Sequence, residues 1–395
     1  MKSLRELYRI GYGPSSSHTM APSRAAINFK NKAKNTSSFR VTLSGSLALT
    51  GKGHLTDYGI KKSLSPTPTE FIWAKDQKIM NHPNGFMIEA LDKNGNVTDK
   101  IIDKSIGGGA LASDESSSET YAEKTMADIL DYCNNKNLSL WEYVQESENN
   151  DIWLYLNDVW TTMRISVKKG LQSGGTLPGG LNLTRKAAAI KRKSLSLRRT
   201  FKFQALLAAY AYAASEENAC GKKIVTAPTC GSCGVMPAVL TMFYDELRCE
   251  PKELLYALAA GGIVGNLAKT NGSISGAVAG CQAEIGVACA MAAAAATQLL
   301  GGTNEQIEYA AEMGLEHHLG LTCDPVKGLV QIPCIERNAH AAVRAINCAN
   351  FAMLSDGQHR ISYDDVVNVL LETGQQLHHS FRETSTGGLA KVYTD

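Results

Sequence analysis

Three cysteines stand in segments whose residues interrupt helices and could present a thiolate to a ligand. Cys281, Cys323 and Cys334 lie in GAVAGCQAEIG, GLTCDPVKG and QIPCIERN, where the flanking Gly and Pro predict turns or helix starts. Backbone N–H groups that are free at such positions stabilise a thiolate. Three thiolates suit an iron–sulfur cluster with one open iron, a structural zinc ion, or simple packing. Their spacing alone does not decide among these.

The other cysteines have different surroundings. Cys230 and Cys233 form a CxxC, which is half of a zinc site, a redox pair, or a Gly-rich turn before a helix starting near Val235. No second CxxC or ordered His pair completes a tetrahedral site, so the turn is favoured. Cys289 and Cys348 lie in Ala-rich helical stretches and are expected to be packed as small apolar side chains.

A second set of reactive residues lies near the N-terminus. His18 and His54 are candidates for proton transfer, because imidazole titrates near neutral pH, although either one alone is more often an ordinary residue. Hydroxyl and backbone N–H groups ahead of a predicted helix over about 22–34 suit a substrate carboxylate, or else they only cap that helix. These hydroxyls belong to Ser15, Ser16, Ser17 and Thr19.

Polar residues also interrupt the apolar second half of the chain. Lys269, Asn271 and Ser273 follow an apolar helical stretch and need partners, which could be a substrate or a helix cap. Arg337, three residues after Cys334, could pair a carboxylate with two hydrogen bonds. It could equally hold the cysteine loop through Glu312 or Glu316.

Composition limits the kinds of function. The 395 residues include 40 Lys+Arg against 38 Asp+Glu, and this net charge of +2 gives no electrostatic case for a nucleic-acid or membrane partner. The longest apolar run, residues 285–296, is too short to span a bilayer. We therefore expect a cytoplasmic protein, where disulfides are disfavoured, so the ten cysteines need another explanation.

The pattern of elements predicts an α+β fold. Strands are expected at 39–43, 85–91 and 100–106, which gives an N-terminal antiparallel-sheet domain over 1–170. A basic connector follows over 171–199, and an Ala-rich all-α domain covers 200–395. Small residues on all faces of its helices favour close packing, and large Ala-rich faces favour a homodimer.

Collinear motifs resemble one family over almost the whole chain. In order they read GPSSSHT, TGKGHLTD, SIGGG, APT, NGSISG, the three cysteine segments, SDGQH and RETSTGGLA. Together they are similar to the iron–sulfur-dependent L-serine dehydratase (L-serine ammonia-lyase) family in its single-chain form. The resemblance implies a 4Fe–4S cluster on Cys281, Cys323 and Cys334, with an open iron that polarises the hydroxyl of L-serine. It also implies release of pyruvate and ammonia, with His54 as the expected base and His18 positioning the substrate.

Departures from the family pattern leave alternatives. Val278 stands where an acidic residue is common, and APTCGSCG replaces an APTNGAAG-like run. Some relatives carry a cysteine-bearing tail that can occupy the open iron, whereas this sequence ends KVYTD, so water, substrate, the terminal carboxylate or Cys230 would serve there. L-Threonine or L-cysteine is an alternative substrate. Two other readings are a pyridoxal-phosphate enzyme using Lys269 and a non-catalytic amino-acid sensor.

Overall fold

The N-terminal region is built around a small sheet in the computed structural model, which describes residues 1–116 and 119–393. The strands are β1 (Ile10–Tyr12), β2 (Ser38–Ser44), β3 (Thr69–Ala74), β4 (Gly85–Leu91), β5 (Val97–Gly107), β6 (Ala110–Leu111) and β7 (Lys223–Val225). Five of them form one sheet in the order β3-β2-β4-β5-β6, and β1 pairs separately with β7.

The predicted α+β class is confirmed, and the sheet is mixed. β2 pairs antiparallel with β4, and β4 with β5, as predicted, whereas β3 runs parallel to β2. The sequence prediction missed β3, since its residues alternate between half-buried and exposed at the sheet edge and carry no strong apolar alternation. Val41 and Leu43 of β2 pair with Ile88 and Phe86 of β4 in a small core that excludes water.

Helices flank this sheet and make up most of the remaining chain. Beside the sheet lie α1 (Ala21–Lys32), α2 (Gly45–Thr50) and α3 (Thr56–Leu64). The others are α4 (Met126–Lys136), α5 (Leu140–Ser147), α6 (Ile152–Gln172), α7 (Ala187–Ser194), α8 (Arg199–Ala219), α9 (Val235–Asp245), α10 (Pro251–Asn271), α11 (Gly276–Ala279), α12 (Ile285–Leu299), α13 (Asn304–Glu316), α14 (Cys334–Met353), α15 (Tyr363–Gln376) and α16 (Leu389–Val392).

The Ala-rich helices pack at short distances around α12. Residues 287–296 of α12 are fully buried, and its neighbours are α10, α13 and α14. A Cβ at Gly261 would lie 2.5 Å from the carbonyl oxygen of Met291, so only glycine permits this approach of α10 to α12. The alanine faces that suggested a dimer are therefore used inside one chain, and the homodimer stays a prediction.

The two hydrophobic cores do not meet at the predicted domain boundary, residues 170–200. Helices α4, α5 and α6 share the large hydrophobic core with α8–α15, and so do Leu4, Leu7 and Tyr8. The smaller core contains residues 21–111 only. The change of core therefore falls between residues 111 and 121.

The basic tract after α6 is anchored at its beginning. The Arg185 side chain is only 6% exposed, and its Nη2 lies 2.6 Å from Oε1 of Glu217, beside Glu216. Further along, α7 exposes Lys191, Arg192 and Lys193 to solvent, and the role of this tract as a connector stays a prediction. Across the described part of the chain, no helix is both long and apolar enough to cross a membrane.

Candidate active site

Two histidine rings lie close together, with their planes tilted by 47°, at the start of α1. The SSSHT segment forms a single π-helical turn, Ser16–Met20, and His54 sits in the turn between α2 and α3. The His18 and His54 ring centroids are 4.4 Å apart, and both rings are buried. The sequence named both residues, and the fold places them together.

The hydrogen bonds of His54 fix which of its nitrogens carries the proton. Thr50 donates its hydroxyl to the carbonyl oxygen of Ser46 at 2.9 Å, so its oxygen must accept from Nδ1 of His54 at 3.2 Å. The proton is therefore assigned to Nδ1, and Nε2 keeps its lone pair. This Nε2 is buried and has no partner. Burial lowers the pKa of His54 to about 4, so the ring is neutral near pH 7.

His18 is held by hydroxyl groups on both sides of its ring. Its Nδ1 lies 3.0 Å from Ser17 Oγ, and its Nε2 lies 2.9 Å from Ser46 Oγ. Burial, and then the facing His54, lower the pKa of His18 well below its ordinary value. Both of its nitrogens are occupied, so His18 is better placed to orient a neighbour than to accept a proton.

The serines and threonine of the same turn are buried and partly used for its own structure. Ser15 caps the turn by accepting the His18 N–H at 3.1 Å. Thr19 donates its hydroxyl to the carbonyl oxygen of His54 and so joins the two histidine segments. Ser15 therefore caps this turn, which is one of the two predicted alternatives. Binding of substrate stays a prediction for Ser15, Ser16, Ser17 and Thr19.

The three cysteines lie on separate elements, and the structure brings two of them, Cys281 and Cys323, into one close group of potential ligand atoms, with Cys334 nearby. Cys281 begins a 3₁₀ turn before α12, Cys323 lies in the loop after α13, and Cys334 is the first residue of α14. All three are buried, and the sulfur atoms of Cys281 and Cys323 lie within 4.8 Å of each other and of a Glu284 carboxylate oxygen. A hydrogen bond to Cys281 and burial raise the pKa of Cys323, while burial and nearby Cys281 raise that of Cys334. A bound metal cation would therefore displace protons from these thiols.

Arg337 holds the cysteine loop. Its guanidinium donates to the carbonyl oxygen of Thr322 at 2.6 Å and to Oδ1 of Asp324 at 3.2 Å. The predicted partners Glu312 and Glu316 instead line a surface groove of about 980 Å³ between α13 and α14, whose lining Arg337 also joins. Arg337 therefore holds the cysteine loop, as one of the two alternatives predicted, but its acidic partner is Asp324 rather than Glu312 or Glu316.

A later segment of the chain lies over the same loop. Cys323 donates its N–H to the carbonyl oxygen of Phe381, and its own carbonyl accepts from the Glu383 N–H, both at 2.8 Å. Oδ2 of Asp324 accepts the N–H of Leu389 at 2.9 Å. The RETSTGGLA motif therefore positions the second cysteine through its main chain.

Glu284 is a site residue that the sequence reasoning missed. Oε1 accepts the hydroxyl of Thr229 at 2.6 Å, and Oε2 lies 3.9 Å from Cys323 Sγ. A Cβ at Gly276 would lie 2.6 Å from Oε2, and one at Gly231 would lie 3.1 Å from Oε1, so both glycines leave room for the carboxylate. Burial raises the pKa of Glu284. Its only sequence signal is its position three residues after Cys281.

The CxxC segment forms the turn before α9, as predicted, and joins the two halves of the site. Cys230 and Cys233 are buried against Met20, the last residue of the histidine-bearing turn. Asn338 donates to the carbonyl oxygens of Gly231 at 2.7 Å and Cys334 at 2.8 Å. This turn therefore touches both the histidine segment and the third cysteine.

Two further contacts bring the sheet region against the cysteine loops. A Cβ at Gly328, in the loop between Cys323 and Cys334, would lie 3.5 Å from Thr50 Cβ. On the other side, a Cβ at Gly107 would lie 3.4 Å from the Cβ of Ser275. Because Thr50 also contacts His54, the segment that carries the histidine pair packs against the loop between Cys323 and Cys334.

The polar residues predicted near the end of α10 are directed elsewhere. Lys269 Nζ donates to the carbonyl oxygen of Glu6 at 2.9 Å, and burial lowers the pKa of Lys269 to about 8. Asn271 donates to the carbonyl oxygen of Lys124 at 2.7 Å, and the Ser273 hydroxyl accepts the Ser275 N–H at 3.1 Å. These side chains satisfy main-chain groups, and the Ser273 contact matches the predicted capping alternative.

The α+β fold, the histidine pair and the buried thiol set define a two-part chain whose site lies where a sheet region meets a helical region. Comparison with known proteins identifies both parts. The serine dehydratase beta chain model matches residues 3–72, and the serine dehydratase alpha chain model matches residues 79–390. The chain belongs to the serine dehydratase family, a family of lyases, with both parts in one polypeptide.

Full-length relatives agree with this assignment. L-serine dehydratase 1 of Escherichia coli (strain K12) is 38% identical over 100% of both chains. L-serine dehydratase of Streptomyces coelicolor is 38% identical over 98% of each chain, and that of Haemophilus influenzae is 36% identical over 99% of each.

Proposed function

We propose that this protein is an L-serine dehydratase that converts L-serine to pyruvate and ammonia with a 4Fe–4S cluster. The observation that carries the proposal is the buried, unpartnered Nε2 of His54, whose lone pair is fixed by Thr50, in a segment that packs against the loop between two of three buried cysteines. A base with no protein partner in a closed site is what abstraction of an α-proton needs.

The donor set fits an iron–sulfur cluster. Cys281, Cys323 and Cys334 would hold it, since thiolates are the ligands that such clusters prefer and all three sulfurs are buried. Arg337 supplies a positive charge beside them. When bound, an iron with an open position would act as a Lewis acid toward the substrate hydroxyl, which is otherwise a poor leaving group.

The protein's own groups account for the rest of the reaction. Nε2 of His54 takes the α-proton, and the Nδ1–H bond to Thr50 stabilises the imidazolium that results. His18, held by Ser17 and Ser46, keeps the facing ring in place. The buried hydroxyls of the SSSHT turn bind the substrate carboxylate and exclude water from the proton being moved.

Anaerobic reconstitution of the full chain with iron and sulfide tests this function. We expect stoichiometric iron and sulfide, an oxygen-labile visible band, and pyruvate from L-serine in preference to L-threonine or L-cysteine. Zinc uptake without sulfide, or a borohydride-sensitive band that depends on added pyridoxal phosphate, would refute the cluster. Cluster uptake without turnover of any of the three amino acids would favour a sensor.

A further inference from the structure

The carboxylate of Glu284 is built into the thiol site, with one oxygen on a hydroxyl and the other on a thiol. Oε1 is fixed by the Thr229 hydroxyl at 2.6 Å. Oε2 accepts the Cys323 thiol at 3.9 Å, and one oxygen of this carboxylate lies within 4.8 Å of both Cys281 Sγ and Cys323 Sγ. A carboxylate with one oxygen hydrogen-bonded and the other directed at thiol ligands has the arrangement of a monodentate metal ligand.

Two glycines preserve this arrangement. Any side chain at position 276 would place its Cβ 2.6 Å from Oε2 and 3.1 Å from Cys323 Sγ. A Cβ at position 231 would come within 3.1 Å of Oε1. The carboxylate therefore occupies a slot between two loops, and its position does not depend on the rotamer freedom of an exposed side chain.

The other thiol near this point is less suited to reach a metal. Cys230 is fully buried, and it packs with Cys233, Met20 and Ile224 in an apolar cluster. Burial, and then the nearby Cys233 and Glu284, raise the pKa of this thiol well above its ordinary value. Cys230 is therefore better explained as part of the packing behind the histidine turn.

We propose that Glu284 is the fourth protein ligand of the cluster, bound through Oε2 to the iron that the three cysteines leave open, and that it gives way to substrate. This inference rests on the proposed function, because it requires that a cluster forms. An oxygen ligand is weaker than a thiolate toward iron, so a substrate hydroxyl and carboxylate can replace it. Arg337 and Thr229 would then hold the released carboxylate within the site.

The experiment compares the reconstituted full-length wild type with Glu284→Gln, Glu284→Asp, Cys230→Ala and the control Glu312→Gln. Iron and sulfide are measured first, and failure of all five proteins to take up a cluster would refute the proposed function rather than the ligand. Loaded proteins without substrate are then oxidised mildly, and loss of one iron is followed by the paramagnetic signal of the three-iron cluster. We expect Glu284→Gln to lose this iron about 10–100-fold faster than wild type, the size seen when groups tuning a metal site are removed.

A spectroscopic readout separates ligation from mere proximity. Wild type grown with glutamate labelled with ¹³C at the carboxylate should show an electron–nuclear coupling to the reduced cluster, lost in Glu284→Gln and on addition of L-serine. Glu284→Asp should lose iron at an intermediate rate, and Glu312→Gln should match wild type. Absence of the coupling in loaded wild type, equal iron loss in wild type and Glu284→Gln, or fast loss in Cys230→Ala instead would overturn the proposal.

Discussion

Replacing Asp324 by Asn should loosen the segment that covers the second cysteine without unfolding the protein. Oδ1 of Asp324 accepts from Arg337 and from the Thr322 hydroxyl, while Oδ2 accepts the Leu389 N–H at 2.9 Å. The Asn side chain can keep its oxygen toward Arg337, but its amide then meets the Leu389 N–H as a second donor. One charge-assisted hydrogen bond is lost, and Arg337 faces a neutral partner.

The magnitude follows from the burial of this carboxylate. Asp324 is 4% exposed, so the lost bond is not replaced by bulk water. Hydrogen bonds to charged groups contribute about 1.5–3 kcal/mol, and a tenfold change in an equilibrium corresponds to about 1.4 kcal/mol. Local opening of residues 381–389 should therefore become about 10–150-fold more frequent.

Hydrogen–deuterium exchange followed by mass spectrometry measures this opening directly. Peptides covering 321–326 and 381–391 should exchange faster in Asp324→Asn, while peptides from α12 should not change. Asp365→Asn is the matched control, because Asp365 is exposed and caps only α15. Unchanged exchange over 381–391 in a folded Asp324→Asn protein would refute the view that this carboxylate ties the two segments together.

Three further predictions address the base, a buried ion cluster and the pH dependence of stability. His54→Gln should lower kcat by about 10²–10⁴-fold at unchanged iron content, and Thr50→Val should lower it by less. The control His317→Gln should leave kcat unchanged, and a His54→Gln enzyme with nearly full turnover would exclude His54 as the base. Arg185→Met should lower the free energy of unfolding, measured in urea, by about 3–5 kcal/mol, because Glu216 and Glu217 lose their buried partner. The control Arg192→Met, at an exposed position, should change it by less than about 0.5 kcal/mol, and equal effects of the two substitutions would contradict this prediction. Burial and the nearby Glu316 and Glu308 raise the pKa of Glu312 to about 8, so the folded protein binds this proton more tightly than the unfolded chain and loses stability as pH rises from about 4.5 to 8. Glu312→Gln should therefore be more stable than wild type by about 1–3 kcal/mol at pH 8 and equal to it below pH 4.5, and a difference that does not vary with pH would show that this carboxyl titrates normally.

Local sequence signals predicted secondary-structure elements well where one residue type largely determines the backbone conformation. The strand expected at 85–91 is β4, and the flanking Gly and Pro correctly placed Cys334 at a helix start and Cys323 in a loop. β3 was missed because an edge strand needs little apolar alternation. The boundary between the two cores could not be read from composition, since helices α4–α6 have the ordinary amphipathic pattern of helices that pack against either region.

The candidate site shows a similar limit. Motifs named the histidines and the cysteines, because these residue types are rare and chemically distinctive. Glu284, Asp324 and Asn338 were not assigned site partners, since a carboxylate or amide gains its meaning only from loops that meet in space. Lys269 and Asn271 show a further limit: half-buried polar side chains need partners, and here main-chain carbonyls are those partners, while a role toward substrate stays a prediction.

The segment over the cysteine loop also sets an order of events during synthesis. Residues 381–389 complete the hydrogen bonds of Cys323 and Asp324, yet they leave the ribosome about 60 residues after Cys323, which at about 5–20 residues per second means roughly 3–12 s. During that interval the nascent chain carries its thiols on an unsupported loop. For the cluster proposed above, delivery of iron and sulfide to a finished polypeptide, rather than to one still being translated, is the timing that this architecture favours.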